Sequence, residues 1–154
     1  MIKAIYTSPE TGLPMRRHSE IAVIEKEGLE GDRYATGKGF YTGVKEWDAE
    51  VTLIQIEPFN ELLSKHGIEI DPADLRRNLV VESISLDFLV GKRFQVGSEV
   101  VLETRKLWPP CSHIVKQSGR SEIMQYLAKS TGIGASVVTG GRIRIGDPVF
   151  PVGG

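Results

Sequence analysis

Arg93-Phe94-Gln95-Val96-Gly97-Ser98-Glu99-Val100-Val101-Leu102-Glu103-Thr104-Arg105 is the stretch that decides the fold class. Apolar and polar side chains alternate on both sides of Gly97-Ser98, a pair short enough to close an antiparallel hairpin. The same signature recurs outward from it, in short runs from Ile2 to Tyr6, Ile21 to Glu25, Val51 to Ile56, Leu79 to Glu82, Ala135 to Val138 and Arg142 to Ile145. Thr139-Gly140-Gly141 separates the last two runs and reads as a second hairpin loop. Helical signals are few. Pro58 to His66 closes on Gly67, Asp71-Pro72 opens a single turn, and Glu122 to Lys129 puts Ile123, Tyr126 and Leu127 on one face. Many strands without regular strand-helix alternation predict a mainly β fold, barrel-like, with an antiparallel or mixed sheet and a few short helices.

A chain of 154 residues and 17.0 kDa is long enough for one core and short for two, so residues 1–154 are expected to form one domain. Nineteen basic against 20 acidic side chains leave a net charge of -1, which provides no overall field toward nucleic acid or an anionic membrane. Any anion site must be local. Cys111 is the single cysteine, which excludes an intramolecular disulfide, and His18, His66 and His113 are too scattered to complete a zinc-finger pattern with it. Neither an apolar leader nor an 18-residue apolar run is present, and the expected compartment is the cytoplasm.

Residues 26–50 carry five glycines, several charges and no period, and read as a long loop. Within it, Gly31-Asp32-Arg33-Tyr34-Ala35-Thr36-Gly37-Lys38-Gly39 misses the Walker spacing by one residue and has Gly39 where Ser or Thr should follow Lys38. Glycine amides beside Arg33 and Lys38 can still receive an oxyanion; a solvated loop is the plainer reading. Asp71-Pro72-Ala73-Asp74-Leu75-Arg76-Arg77-Asn78 leads into an apolar strand. In an extended segment Arg76 and Asn78 share a face and Arg77 takes the other. A guanidinium fork suits phosphate or carboxylate, and an amide suits a heterocycle edge; the alternative is an ion pair for Arg76 with Asn78 capping the turn. In Trp108-Pro109-Pro110-Cys111-Ser112-His113 the prolines stop the strand, so Cys111 would begin any following helical turn. That position, with His113 and Lys116 nearby, favours a thiolate able to ligate a soft metal or carry sulfur, set against a buried cysteine acting as a small apolar residue. A cysteine hydrolase using Cys111 with His113 fits less well, because residues two apart do not generally bring thiolate and base together.

These pieces occur in a known order: GLEGDRY at 28–34, LRRNLV at 75–80, SLDFLVGKRFQVGSEVVLE at 85–103, PPC at 109–111 and GGRIRIGDPV at 140–149. Together they resemble the MOSC family, named for the C-terminal domain of molybdenum-cofactor sulfurases, in its short stand-alone form. The resemblance implies a β-barrel-like fold and binding of the molybdenum cofactor, a pterin dithiolene carrying phosphate. It also implies that Cys111 is the catalytic sulfur carrier or the molybdenum ligand, and that Gly31, Asp32, Arg33, Arg76 and Asn78 hold the cofactor. An electron-donor or sulfur-donor protein is the implied partner. Two departures stand out: Tyr34-Ala35 follows G-D-R where relatives commonly have His, and Ser130-Thr131-Gly132-Ile133-Gly134 lacks the arginines common there. The alternative they suggest is a non-catalytic adaptor module of the same fold.

Overall fold

The computed structural model describes residues 1–10, 12–36, 49–108 and 132–152. Its strands are β1 (Ile2–Thr7), β2 (Arg16–His18), β3 (Glu20–Ile24), β4 (Gly28–Leu29), β5 (Val51–Gln55), β6 (Leu79–Val81), β7 (Arg93–Val96), β8 (Val100–Trp108), β9 (Gly132–Thr139), β10 (Gly141–Arg144) and β11 (Val149–Pro151). Helices α1 (Arg33–Thr36) and α2 (Glu57–His66) and two single turns of tighter helix, Pro72–Leu75 and Leu86–Leu89, complete the elements among the described residues. The predicted segment Glu122 to Lys129 lies outside the described residues.

Eight strands form one mixed sheet in the order β11-β7-β8-β9-β5-β6-β1-β2, in which β5 and β6 run parallel and the other pairs antiparallel. A parallel pair needs a crossover, and α2 with the turn at Pro72–Leu75 supplies it. The second sheet, β10-β3-β4, is antiparallel. The fold is mainly β, as the alternation predicts. Among the described residues the large sheet stays open, with β2 and β11 at its edges, so the barrel-like curl does not close.

Alternation along the strands builds two apolar layers. On one face Ile5, Leu53, Leu79, Phe94 and Leu102 pack with Ile21, Val23, Leu29 and Ile143 of the small sheet. On the other, Ala4, Tyr6, Ile54 and Val80 meet Phe59 and Leu62 of α2, with Ile70 and Leu75. Helix α2 has Pro58 in its first turn and ends on Gly67, whose left-handed φ of 65° lets its amide close on the Leu63 carbonyl at 3.0 Å.

The hairpin at Gly97-Ser98 is present, with Phe94 opposite Leu102 and Val96 opposite Val100. The one expected at Thr139-Gly140-Gly141 is not: β10 leaves the large sheet and pairs with β3, Ile143 opposite Ile21. The glycines serve a change of sheet. A Cβ on Gly140 would stand 2.6 Å from the Val23 carbonyl oxygen, so only glycine lets the two backbones come this close. Within the segment 26–50 the described part is not all loop, because β4 and α1 form in it, and residues 37–48 lie outside the described residues. At the far edge, Val152 donates to the Arg93 carbonyl at 3.1 Å and Gly97 to that of Pro148 at 2.9 Å. Pro148 and Val152, on either side of β11 and four apart, both face β7, so by alternation Pro151 faces away, where its missing N–H costs no ladder bond.

Candidate anion site

Asp32 and Arg33 open α1 just after the chain turns at Gly31, which is exposed and has a φ of 78°. The Asp32 carboxylate is wholly buried and accepts from the amides of Ser8 at 3.0 Å and Tyr34 at 3.2 Å and from Arg33 Nη1 at 3.2 Å. Arg33 is 4% exposed. Its Nη2 donates to the backbone carbonyl of Arg76 at 2.8 Å, its Nη1 lies 3.9 Å from Met15 Sδ, and the Tyr34 ring stacks 4.6 Å from its guanidinium carbon.

Arg76 reaches the same place from the other direction. Asp71 caps the turn at Pro72–Leu75 by accepting from the Ala73 amide at 2.9 Å, and the chain leaves the turn at Arg76 with a left-handed φ of 56°. This kink breaks the expected alternation. Arg76 and Arg77 still part, but because of the left-handed residue and not because of a strand pleat. The Arg76 guanidinium donates to the carbonyls of Leu13 and, at 3.4 Å, of Glu10, both also within reach of the Ser8 hydroxyl. A hydroxyl has one hydrogen and serves one of them at a time; the guanidinium serves both. Burial, followed by repulsion from Arg33, pushes Arg76 down to about 10.

Beside Arg76 opens a pocket of about 300 Å³ walled by Leu13, Pro14, Met15, Ala73, Asp74 and Arg76. This is the low end of ligand-site volumes. Among the described residues the Asp32 carboxylate bonds Arg33, and the Arg76 guanidinium in the pocket wall is held by neutral carbonyls, which a charged oxyanion can replace.

Arg77 turns away and donates to the Trp108 carbonyl at 2.7 Å. Asn78, the residue expected to share a face with Arg76, is fully buried between strands. Its Oδ1 accepts from the Thr52 amide at 2.9 Å and hydroxyl at 3.2 Å, and its Nδ2 donates to the Tyr6 carbonyl at 3.2 Å. Its amide joins β5 to β1 and is not presented to the pocket. The structure thus brings Arg33 and Arg76 together, sets Asp32 to act through Arg33, and leaves Gly31 to shape the turn. Cys111, Lys38 and His113 lie outside the described residues. Sequence reasoning missed Ser8, Met15 and Asp74; Asp71-Pro72 located the turn that carries Asp74, but no local signal shows which wall its side chain joins. Among the described residues no His, Cys, Asp and Glu cluster could hold a metal ion, and no helix is long and apolar enough to cross a membrane.

Comparison with solved structures shows the same fold in YuaD from Bacillus subtilis, at a TM-score of 0.76 and 17% identity over 96% of this chain and 92% of that one. YiiM from Geobacillus stearothermophilus gives 0.70 and 17% over 99% and 76%, and YiiM from Escherichia coli 0.67 and 17% over 99% and 70%. No curated protein sequence matches the chain. The MOSC domain model matches residues 30–150, a span that includes Asp32, Arg33, Arg76 and Cys111, and the chain belongs to the MOSC family.

Proposed function

We propose that this protein binds the molybdenum cofactor and acts through Cys111, in sulfur carriage or as the molybdenum-bearing component of a reductase. The observation that carries the reading is the meeting of two buried arginines beside an open pocket, Arg33 bound to Asp32 and to the backbone carbonyl of Arg76, and Arg76 lining the pocket. That donor set fits a phosphate. Arg76 would hold it, exchanging backbone carbonyls for a charged acceptor, and Arg33 would keep Arg76 in place through its carbonyl. The soft thiolate of Cys111 suits molybdenum or a transferred sulfur. When bound, the cofactor would supply two-electron redox chemistry at the metal. In the reductase version electrons come from a partner protein, since the sequence shows no flavin, haem or iron-sulfur motif.

The test is protein purified anaerobically from its own host, assayed for molybdenum and for fluorescence of the oxidised pterin. Near-equimolar metal and pterin, both lost in Arg76→Ala, is the expected result. Metal-free and pterin-free protein from a host that makes the cofactor would favour the adaptor reading.

A further inference from the structure

Met15 stands where the pocket meets the buried arginine beside it. It belongs to the wall that Arg76 also lines, and it packs against the apolar layer formed with α2. Its Sδ lies 3.9 Å from Nη1 of Arg33 and accepts from it. Arg33 also donates to the Asp32 carboxylate at 3.2 Å and to the Arg76 carbonyl at 2.8 Å, and of these three acceptors the thioether is the weakest. The residue is half-buried and flanks an open pocket, which leaves it within reach of a molecule as small as a peroxide. A methionine packed on an apolar core normally disrupts it when oxidised, because the sulfoxide is polar. Here a buried cationic donor already points at the sulfur.

We infer that Met15 is an oxidation site: a hydroperoxide converts it to the sulfoxide, the new oxygen takes the Arg33 donor that faces the sulfur, and the affinity of the pocket for oxyanions falls. The inference rests on the oxyanion site of the cofactor reading and not on which anion fills it. In the reaction a sulfur lone pair attacks one peroxide oxygen, the S–O bond forms as the O–O bond breaks, and the displaced oxygen takes the proton of the first and leaves as water. Sulfur loses two electrons and the peroxide gains them. The sulfoxide oxygen has partial negative charge and accepts hydrogen bonds far better than the thioether did. Set in the wall that Arg76 lines, it competes with an incoming oxyanion for the guanidinium donors. A thiol-dependent sulfoxide reductase reverses the change.

The experiment treats the full-length protein with hydrogen peroxide, reads oxidation at Met15 by mass spectrometry of its peptide, and follows thermal unfolding with and without sulfate. Oxidised protein is expected to unfold at no lower temperature than Met15→Leu treated alike, and to bind sulfate about tenfold more weakly than untreated protein, the worth of one hydrogen bond to a charged group. Met15→Leu, which keeps Met1, Cys111 and Met124, should lose no sulfate affinity on treatment. Met15→Gln places a carbonyl oxygen where the sulfoxide oxygen would stand, and should show the weakened binding without peroxide. Failure of Met15 to oxidise, a fall in unfolding temperature specific to its oxidation, unaltered sulfate binding by the sulfoxide, or a loss of affinity that persists in Met15→Leu would each overturn the inference. Absence of sulfate binding in the untreated protein would remove the oxyanion site and the effect on it, while a Met15 sulfoxide formed without loss of stability would leave the modification site standing.

Discussion

Arg33 donates from Nη2 to the backbone carbonyl oxygen of Arg76 at 2.8 Å, so one arginine of the site fixes the main chain of the other. Arg33 is in turn held by Asp32, a carboxylate with no exposure. Removing Arg33 leaves the Asp32 carboxylate buried on its two amide donors without its counter-ion. Arg33→Met should therefore lower stability by about 3–5 kcal/mol in urea unfolding. The Asp32→Asn, Arg33→Met double variant should lose less than the sum of the two single variants. Additive losses would mean that the two side chains do not act as a unit.

Arg76 gives a pH signature. Its folded value, about 10, lies below its ordinary one, so at neutral pH the folded state carries a charge that burial disfavours. The stability attributable to this group should rise as pH climbs through about 10 toward the unfolded value. The check is the difference in unfolding free energy between wild type and Arg76→Met, which should move in favour of wild type over that range. Sulfate protection should fade over the same range as the guanidinium loses its charge. A flat difference curve would mean that Arg76 is well solvated.

Asn78 should behave as a strand connector. Asn78→Ala leaves the Thr52 amide and Tyr6 carbonyl to find other partners in a dry interior, at a cost of roughly 1–3 kcal/mol for each buried group left unpaired. Sulfate affinity in the folded variant should be unchanged. Weakened sulfate binding at unaltered stability would place Asn78 back among the ligand contacts.

At the change of sheet, Gly140→Ala should destabilise by about 1–3 kcal/mol, because the new methyl would meet the Val23 carbonyl and backbone must move. Thermal unfolding measures it. No loss of stability would mean that β10 can shift away from its register on β3.

The Arg93-to-Arg105 hairpin was readable because everything that specifies it is local: alternation on both arms and a two-residue turn. Thr139-Gly140-Gly141 looks the same in sequence, yet its glycines answer to Val23, more than a hundred residues away, and nothing local separates a hairpin from a change of sheet. At the site the residue types of Arg33 and Arg76 were legible as anion binders. The direction of Arg76 was not, since one left-handed residue cancels a pleat-based argument. The role of Asn78 was hidden for a different reason. An amide serves a heterocycle and a backbone equally well, and only the proximity of Thr52 and Tyr6 decides between them.

Pro151 in β11 bears on how copies of this protein meet. A strand at the rim of a sheet normally offers a row of donors and acceptors along which a second chain can align and extend the ladder. With Pro151 turned outward, that row has a gap, and a strand laid against it would leave one carbonyl without a donor. At the opposite rim β2 offers Arg16 and Arg17, which would face like charges across a pairing of identical edges. Among the described residues both ends of the large sheet thus discourage its growth from one molecule into the next.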